Sequence, residues 1–305
     1  NKGDMIIKNV LAHQAGLKPY VPYWSNGMNG KKRNKDYFND TKTEKFNVQV
    51  AKGVYAIASI KDSVYKWSNE TDLIEKKDGE YPYKYSDMGY YYMQRIIEKI
   101  TGQSMDEYLS SQMYSKMSLP TLTFKPLEKH SIDLIAPTEK DTYFRKQLIQ
   151  GFVHDQGSAL IGGVAGHAGL FSNSFDVAQV LQMTLNDGHY NSCKLLDREI
   201  IGDFTAKQLE GDNRKGATWD RMRPEGKGPS SDYASDSSYG HSGFTGTLIW
   251  VDPEYDLVYV FLSNRVHPDA SNPILGETDV RTKIQDVIYE SMLNFNGQHA
   301  IYNTK

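Results

Sequence analysis

Cysteine is nearly absent. Cys193 stands alone in 305 residues, which excludes an internal disulfide and any site built from several thiolates. It sits in NSCKLL with no histidine or aspartate arranged beside it, so a catalytic thiol is disfavoured. Long apolar runs are missing too, and none reaches the about 18 residues that a membrane-crossing helix needs. Neither charge dominates: 35 lysines and arginines face 38 acidic residues, for a net charge of -3. That balance argues against nucleic acid or another polyanion as partner. The lysine-rich stretch Lys31 to Lys45 is interleaved with Asp, Asn and Glu and reads as a solvated loop. The chain opens NKGDMIIKNV, without the basic head and apolar stretch of a secretory signal and without an initiator Met. The expectation is that the natural N-terminus lies upstream. No HExxH, His-x-His or cysteine pair is present, so the strongest metal-binding patterns are absent.

What is present has ordinary globular character, with 39% hydrophobic and 24% charged residues. Residues 4–12 read as a short helix with Asp4 as its cap and Ile6, Ile7, Val10 and Leu11 as its apolar stripe. From there to Tyr83 the periodicity is unclear. Met88, Tyr92, Ile96 and Ile100 then recur every four residues, with Met93 and Ile97 beside them and Gly102 as the stop. Ser104 with Glu107 three residues on forms a capping box for a second helix, with Leu109 and Met113 inward.

Gly157, Gly162, Gly163, Gly166 and Gly169 crowd one segment, which implies tight turns and close backbone approach rather than an unbroken helix. A helix resumes near Asp176, with Val177, Val180 and Leu181 inward, and ends at Asn186-Asp187-Gly188. Residues 211–238 are polar and rich in Pro, Gly and Ser, as in a surface excursion. Thr247 to Val251 and Leu257 to Leu262, joined by Asp252-Pro253-Glu254-Tyr255, read as an antiparallel hairpin. A last helix carrying Val280, Ile284, Val287 or Ile288, and Ser291 must cover one side of that sheet. The fold class is α+β: residues 1–210 are mainly helix and loop, and residues 238–295 hold late strands and a C-terminal helix.

Three clusters could carry chemistry. His154, Asp155 and His167 lie in the glycine-rich loop. Such residues can ligate a metal, but they also satisfy backbone groups at tight turns, and the structural role is favoured. Tyr239-Gly240-His241-Ser242-Gly243-Phe244-Thr245-Gly246 places polar side chains and bare N–H groups at a strand edge. It is either an anion- or carbonyl-holding edge or a simple bulge. Tyr85-Ser86-Asp87 precedes the long helix. Ser86 or Asp87 can cap that helix, and Tyr85 could exchange protons if a cation lay nearby.

Several of these stretches together resemble the class C β-lactamase superfamily, with its D,D-peptidases, penicillin-binding proteins and esterases. LAHQAGL at 11–17 resembles its L-x-H-x-S-G-L stretch, with Ala15 in the serine place. Tyr85-Ser86-Asp87 resembles Tyr-x-Asn, with Asp87 for Asn, and His241-Ser242-Gly243 resembles Lys-Thr-Gly, which is His-x-Gly in some members. Residues 153–172 and FLSNRVHP at 261–268 resemble segments of the penicillin-binding-protein-like branch. These matches stand in family order along nearly the whole chain.

The resemblance implies a β-lactamase/transpeptidase-like fold. It makes Tyr85 a base or proton relay, and Asp87 an orienting group for lysine and substrate. It places His241 where a cation or hydrogen-bond donor meets the substrate carboxylate or steadies the tyrosine, makes Gly243 the point of close approach, and gives Phe244 or Thr245 the oxyanion-hole N–H. Ser242 belongs to the same edge. The family's Ser-x-x-Lys is expected upstream of Asn1, with the first strands of the sheet. Ser63-Val64-Tyr65-Lys66 has the spacing but stands after the LAHQAGL stretch instead of before it. The chain alone is then expected to be inactive, with an incomplete sheet open to self-association. Asp87 adds a negative charge beside a substrate carboxylate, which favours an esterase or peptidase over a true β-lactamase. The resemblance also implies a peptidoglycan-like peptide or ester substrate, no cofactor, a glycoside hydrolase domain fused upstream, and the periplasm or cell envelope as location. Two other readings are an inactive cell-wall peptide-binding domain of the same fold and a metal hydrolase using His154, Asp155 and His167.

Overall fold

The computed structural model describes residues 2–209, 215–223 and 228–295. They fall into two compact units, Asn1–Asn173 with Val266–Ala270, and Ser174–Arg265 with Ser271–Lys305. Helices and antiparallel sheets alternate in both, so the chain is α+β. No described helix is long and apolar enough to cross a membrane.

In the first unit the opening helix is shorter than the sequence suggests. It spans Ile7–Leu11, and Ile6, not Asp4, occupies the position before it. The stretch without clear period forms a three-stranded antiparallel sheet from Phe38–Asn39, Val54–Ile57 and Phe46–Ala51, followed by the helix Ile60–Glu70. The core of this unit gathers Tyr23, Phe38, Val50, Val54, Ile60, Val64, Phe144 and Ile149.

The long helix runs Met88–Thr101, and Gly102, at φ +69°, ends it in the left-handed conformation. Its buried face differs from the expected stripe. Met88, Tyr91 and Gln94 are buried, whereas Ile100 is 79% exposed. Gln94 can turn inward because its side chain donates to the Val164 carbonyl and to Glu98. The Ser104–Glu107 capping box is present at Met105–Leu109. The glycine-rich segment holds one short helix, Gln156–Leu160, whose first turn is closed by Asp155 accepting from the Ser158 N–H.

The second unit is a four-stranded antiparallel sheet with a helix on each face. The strands are ordered Asp220–Arg221, Tyr239–Ser242, Leu248–Asp252 and Leu257–Phe261. Alternation sorts the third strand. Ile249 and Val251 pack with Leu181 and Val177 of the helix Ser174–Leu185, while Leu248 and Trp250 pack with Ile288 of the helix Val280–Phe295. Gly240 is required here, because a Cβ on it would lie 2.1 Å from the Trp250 ring. On the last helix the inward residues are Gln285, Ile288, Tyr289 and Leu293, with Val287 62% exposed. Tyr289 reaches the sheet and donates to Asp252 Oδ2 at 2.7 Å. The polar excursion at 211–238 is seen in part, and 211–214 and 224–227 lie outside the described residues.

Candidate functional site

The LAHQAGL stretch folds against the Tyr85-Ser86-Asp87 turn. His13 has φ +58° and is buried. Its Nδ1 accepts the Ser86 N–H at 3.1 Å, so the ring proton resides on Nε2, and its carbonyl accepts the Lys84 N–H at 2.8 Å. The Tyr85 ring lies 4.3 Å from the His13 ring, centre to centre, and is 42% exposed. Ser86 Oγ donates to the Lys18 carbonyl and accepts the Met88 N–H. Ser86 therefore serves the helix start, which leaves the Asp87 carboxylate without a capping bond.

Asp87 opens into a pocket lined also by Pro19, Tyr20, Tyr23, Tyr91, Asp155 and His167. Burial pushes its pKa up; the charge of His167 opposes this and that of Asp155 adds to it. Asp155 Oδ1 accepts from the Ser158 N–H at 2.6 Å and lies 3.2 Å from His167 Nε2. Burial disfavours the Asp155 charge, yet the hydrogen bond and charge of His167 and the Ser158 N–H hold its pKa well below the usual carboxylate range. Burial likewise disfavours a charged His167, but the hydrogen bond and charge of Asp155, with the charge of Asp87, raise its pKa. Tyr91 packs on His167 with ring centres 4.5 Å apart. A Cβ on Gly157 would lie 2.1 Å from Tyr91 Oη, so the loop can close on this tyrosine through a glycine alone.

Ser158, His167 and Asp155 do not form a nucleophilic triad. Both Ser158 Oγ, at 3.1 Å, and Asp155 Oδ1 meet the same ring nitrogen, Nε2. A proton relay needs the carboxylate on the opposite nitrogen. Ser63 and Lys66 are not paired either. Ser63 Oγ donates to the Ser59 carbonyl in the first turn of the helix Ile60–Glu70, and Lys66 faces Glu70 at 3.8 Å. His154 Nδ1 lies 3.1 Å from Glu139 Oε1, away from the Asp155–His167 contact. Among the described residues no three His, Cys, Asp or Glu side chains are grouped to hold a metal ion.

Behind the loop lies a buried charge cluster that nothing in the sequence singled out. Arg145, with a fully buried side chain, pairs with Glu139 and with Asp141 at 3.0 Å, and donates to the Val153 and His154 carbonyls. It ties the Pro137–Asp141 and Gln147–Gln150 hairpin to the two residues that precede Asp155.

His241, Ser242, Gly243, Phe244 and Thr245 belong to the second unit. His241 and Ser242 end the strand Tyr239–Ser242, with His241 opposite Ile249. His241 Nδ1 lies 2.7 Å from the Ser242 carbonyl oxygen, and the Gly243 N–H donates to the Thr247 carbonyl. Arg265 holds this edge, donating from Nε to the Phe244 carbonyl and from its N–H to that of Thr245.

A family model described as Beta-lactamase matches residues 1–280. The chain belongs to the Beta-lactamase family. A provisionally named D-alanyl-D-alanine carboxypeptidase of Salmonella typhi is 35% identical over 223 residues, which cover 68% of this chain and 51% of that protein. A counterpart from Salmonella agona matches to the same extent. The chain thus spans about half the length of these relatives. Among solved structures, simvastatin synthase from Aspergillus terreus superposes with a TM-score of 0.57 at 14% identity, covering 100% of this chain and 71% of that one. A penicillin-binding-protein homologue from Caulobacter crescentus gives 0.51 at 16% identity, covering 85% and 65%. These likenesses establish the β-lactamase/transpeptidase-like fold.

Proposed function

We propose that this member of the Beta-lactamase family is part of a serine acyl hydrolase of D,D-peptidase or esterase type. It works through an acyl-enzyme whose nucleophilic serine lies outside these 305 residues. One observation carries the reading. The Tyr85-Ser86-Asp87 turn is fixed from both sides, by His13 and by Ser86 itself, so that Tyr85 stays partly exposed and Asp87 faces a pocket. A turn held that firmly suits a proton relay, which needs its groups in place before substrate arrives. Family membership and the carboxypeptidase relatives support the reaction class. The position of Ser63, bonded within its own helix, supports a nucleophile from elsewhere.

In this mechanism a serine hydroxyl adds to the substrate carbonyl while its proton passes to the relay that includes Tyr85. A backbone N–H at Phe244 or Thr245 stabilises the oxyanion. The leaving amine or alcohol takes the proton, and water then releases the acyl group by the same path in reverse. His241 meets the substrate carboxylate. A cell-envelope location and a peptidoglycan-like peptide or ester substrate accompany this proposal.

The test is hydrolysis by the full-length protein of a peptide ending in D-alanyl-D-alanine and of a small activated ester, with Tyr85→Phe beside the natural sequence. Loss of a relay group should slow turnover by about 10²–10⁴-fold. Release of neither product by folded protein, or full activity in Y85F, would refute the reading.

A further inference from the structure

The outer face of the hairpin Pro137–Asp141 and Gln147–Gln150 has a composition that acyl transfer does not call for. Alternation along its strands sorts the side chains. Glu139, Asp141 and Ile149 are buried, and the two acids meet Arg145 there. Lys140 and Leu148 are cross-strand partners on the opposite face, and Gln150 follows Leu148 on the same side. Both acids of the hairpin are therefore neutralised inside. Its exposed charges are Lys140 and Lys146 alone.

The segment ahead of the hairpin is drawn onto this outer face. The Gln150 side chain donates to the Ile132 carbonyl at 3.2 Å and to the Ile135 carbonyl at 2.6 Å. Leu127 packs over Gly151, where a Cβ would lie 2.5 Å from its side chain. Leu127, Ile132, Leu134 and Leu148 are thus gathered around Gln150, and all four are exposed, Leu134 at 78% and Leu148 at 51%. Lysines border them. Lys129 shares the turn of Leu127, while Lys146 donates to the Lys31 carbonyl and Gln147 to the Lys52 carbonyl. Lys31 and Lys52 are thereby brought to the end of the hairpin. On these segments five exposed lysines stand against two exposed acids, Glu128 and Asp133.

Exposed leucines amid lysines narrow the choice of partner. A nucleic acid would engage the lysines and leave the leucines in water. A second copy docked by two-fold symmetry would set this patch against itself, lysine against lysine. An anionic lipid surface satisfies both kinds of side chain at once. Apolar tips enter the boundary of the acyl chains, and ammonium groups on flexible stems reach the headgroups.

We propose that this face docks the protein on an anionic lipid bilayer, with Leu134 and Leu148 entering it and Lys129, Lys140 and Lys146 at the headgroups. The face lies opposite the side on which Arg145 ties the hairpin to Val153 and His154, so docking leaves the Asp155 loop undisturbed. It goes beyond the acyl-hydrolase reading and does not depend on it.

The experiment is tryptophan fluorescence of the full-length protein carrying Leu134→Trp, with the natural sequence as background. Vesicles of phosphatidylcholine, with and without phosphatidylglycerol, carry bromine on their acyl chains. An unchanged thermal midpoint shows that each variant folds. The expected result is that bromine quenches the added emission in the phosphatidylglycerol vesicles and not in pure phosphatidylcholine. Adding Lys140→Gln or Lys146→Gln should weaken this partition about fivefold each. Absence of quenching, equal quenching in both vesicles, or indifference to both lysine changes would overturn the proposal. So would an added tryptophan shielded from acrylamide before any lipid is present, since another part of the protein or a second copy would then cover the face.

Discussion

Replacing Arg145 by Met should unfold this protein more readily than any surface change. The guanidinium is fully buried and serves two carboxylates at once, Glu139 and Asp141, whose side chains are 5% and 0% exposed. Without it, Asp141 keeps the N–H groups of Tyr143 and Phe144, at 3.0 and 2.9 Å. Glu139 keeps the nearby His154. The Val153 and His154 carbonyls lose their Arg145 donors as well. Removing one side of a buried ion pair costs about 3–5 kcal/mol, because the remaining charge is stranded. Total stabilities are about 5–15 kcal/mol, so about a fifth or more of the margin is at stake.

Urea denaturation with an unchanged m-value measures the loss directly. R145K retains the charge but not the fork that reaches both acids, and should fall between wild type and R145M. Adding E139Q and D141N to R145M should restore part of the stability, since the stranded charges are then gone. A loss below about 1 kcal/mol in R145M, the level of an exposed pair, would refute the assignment of this cluster as the loop's anchor.

Three further outcomes follow. The raised His167 pKa contributes stability that is whole below about 6.5, the unfolded imidazole value, and fades as pH rises through the folded one. The depressed Asp155 pKa contributes stability that is whole above about 3.9 and is lost as acid passes the folded value. The stability difference between wild type and His167→Asn should therefore be greatest between about pH 4 and 6.5; a difference independent of pH would contradict the pairing. His13→Ala leaves the buried Ser86 N–H without its acceptor, at a cost of about 1–3 kcal/mol in chemical denaturation. An equal stability would show that His13 does not hold the turn. Gly157→Ala drives a methyl into Tyr91 Oη, and should cost about 1–3 kcal/mol and separate the Tyr91 and His167 rings in a crystal structure.

Local rules were legible wherever a short-range device decided the outcome. The Ser104–Glu107 box, the Gly102 stop and the hairpin at 248–261 all form because their hydrogen bonds and turns involve neighbours in sequence. The inward faces of two helices depart from the apolar pattern for the opposite reason. Apolar periodicity points Ile96 and Ile100 inward, but Tyr91 and Gln94 are buried there through bonds or ring contacts to residues distant in sequence. Gln285 and Tyr289 are buried in the same way, each satisfied by a group brought in by the fold: the Ser231 N–H for Gln285 and Asp252 for Tyr289.

Of the candidate site, motif order nominates Tyr85, Asp87 and the His241 edge, and the structure adds the His13 and Ser86 bonds that hold the Tyr85–Asp87 turn. The sharing of a pocket by Asp155 and His167 with Asp87 was not visible, because it joins residues 68 and 80 positions apart. Arg145 gave no signal at all, since a single arginine near a hairpin usually lies on the surface.

The most direct test of the central claim is mass spectrometry of the full-length protein after incubation with a fluorescent penicillin and, separately, a fluorophosphonate. The account predicts a covalent adduct on a serine outside residues 1–305, lost when that serine is replaced and strongly slowed by Tyr85→Phe. A folded full-length protein that forms no adduct with either reagent, or one labelled at Ser63 or Ser158, would contradict it.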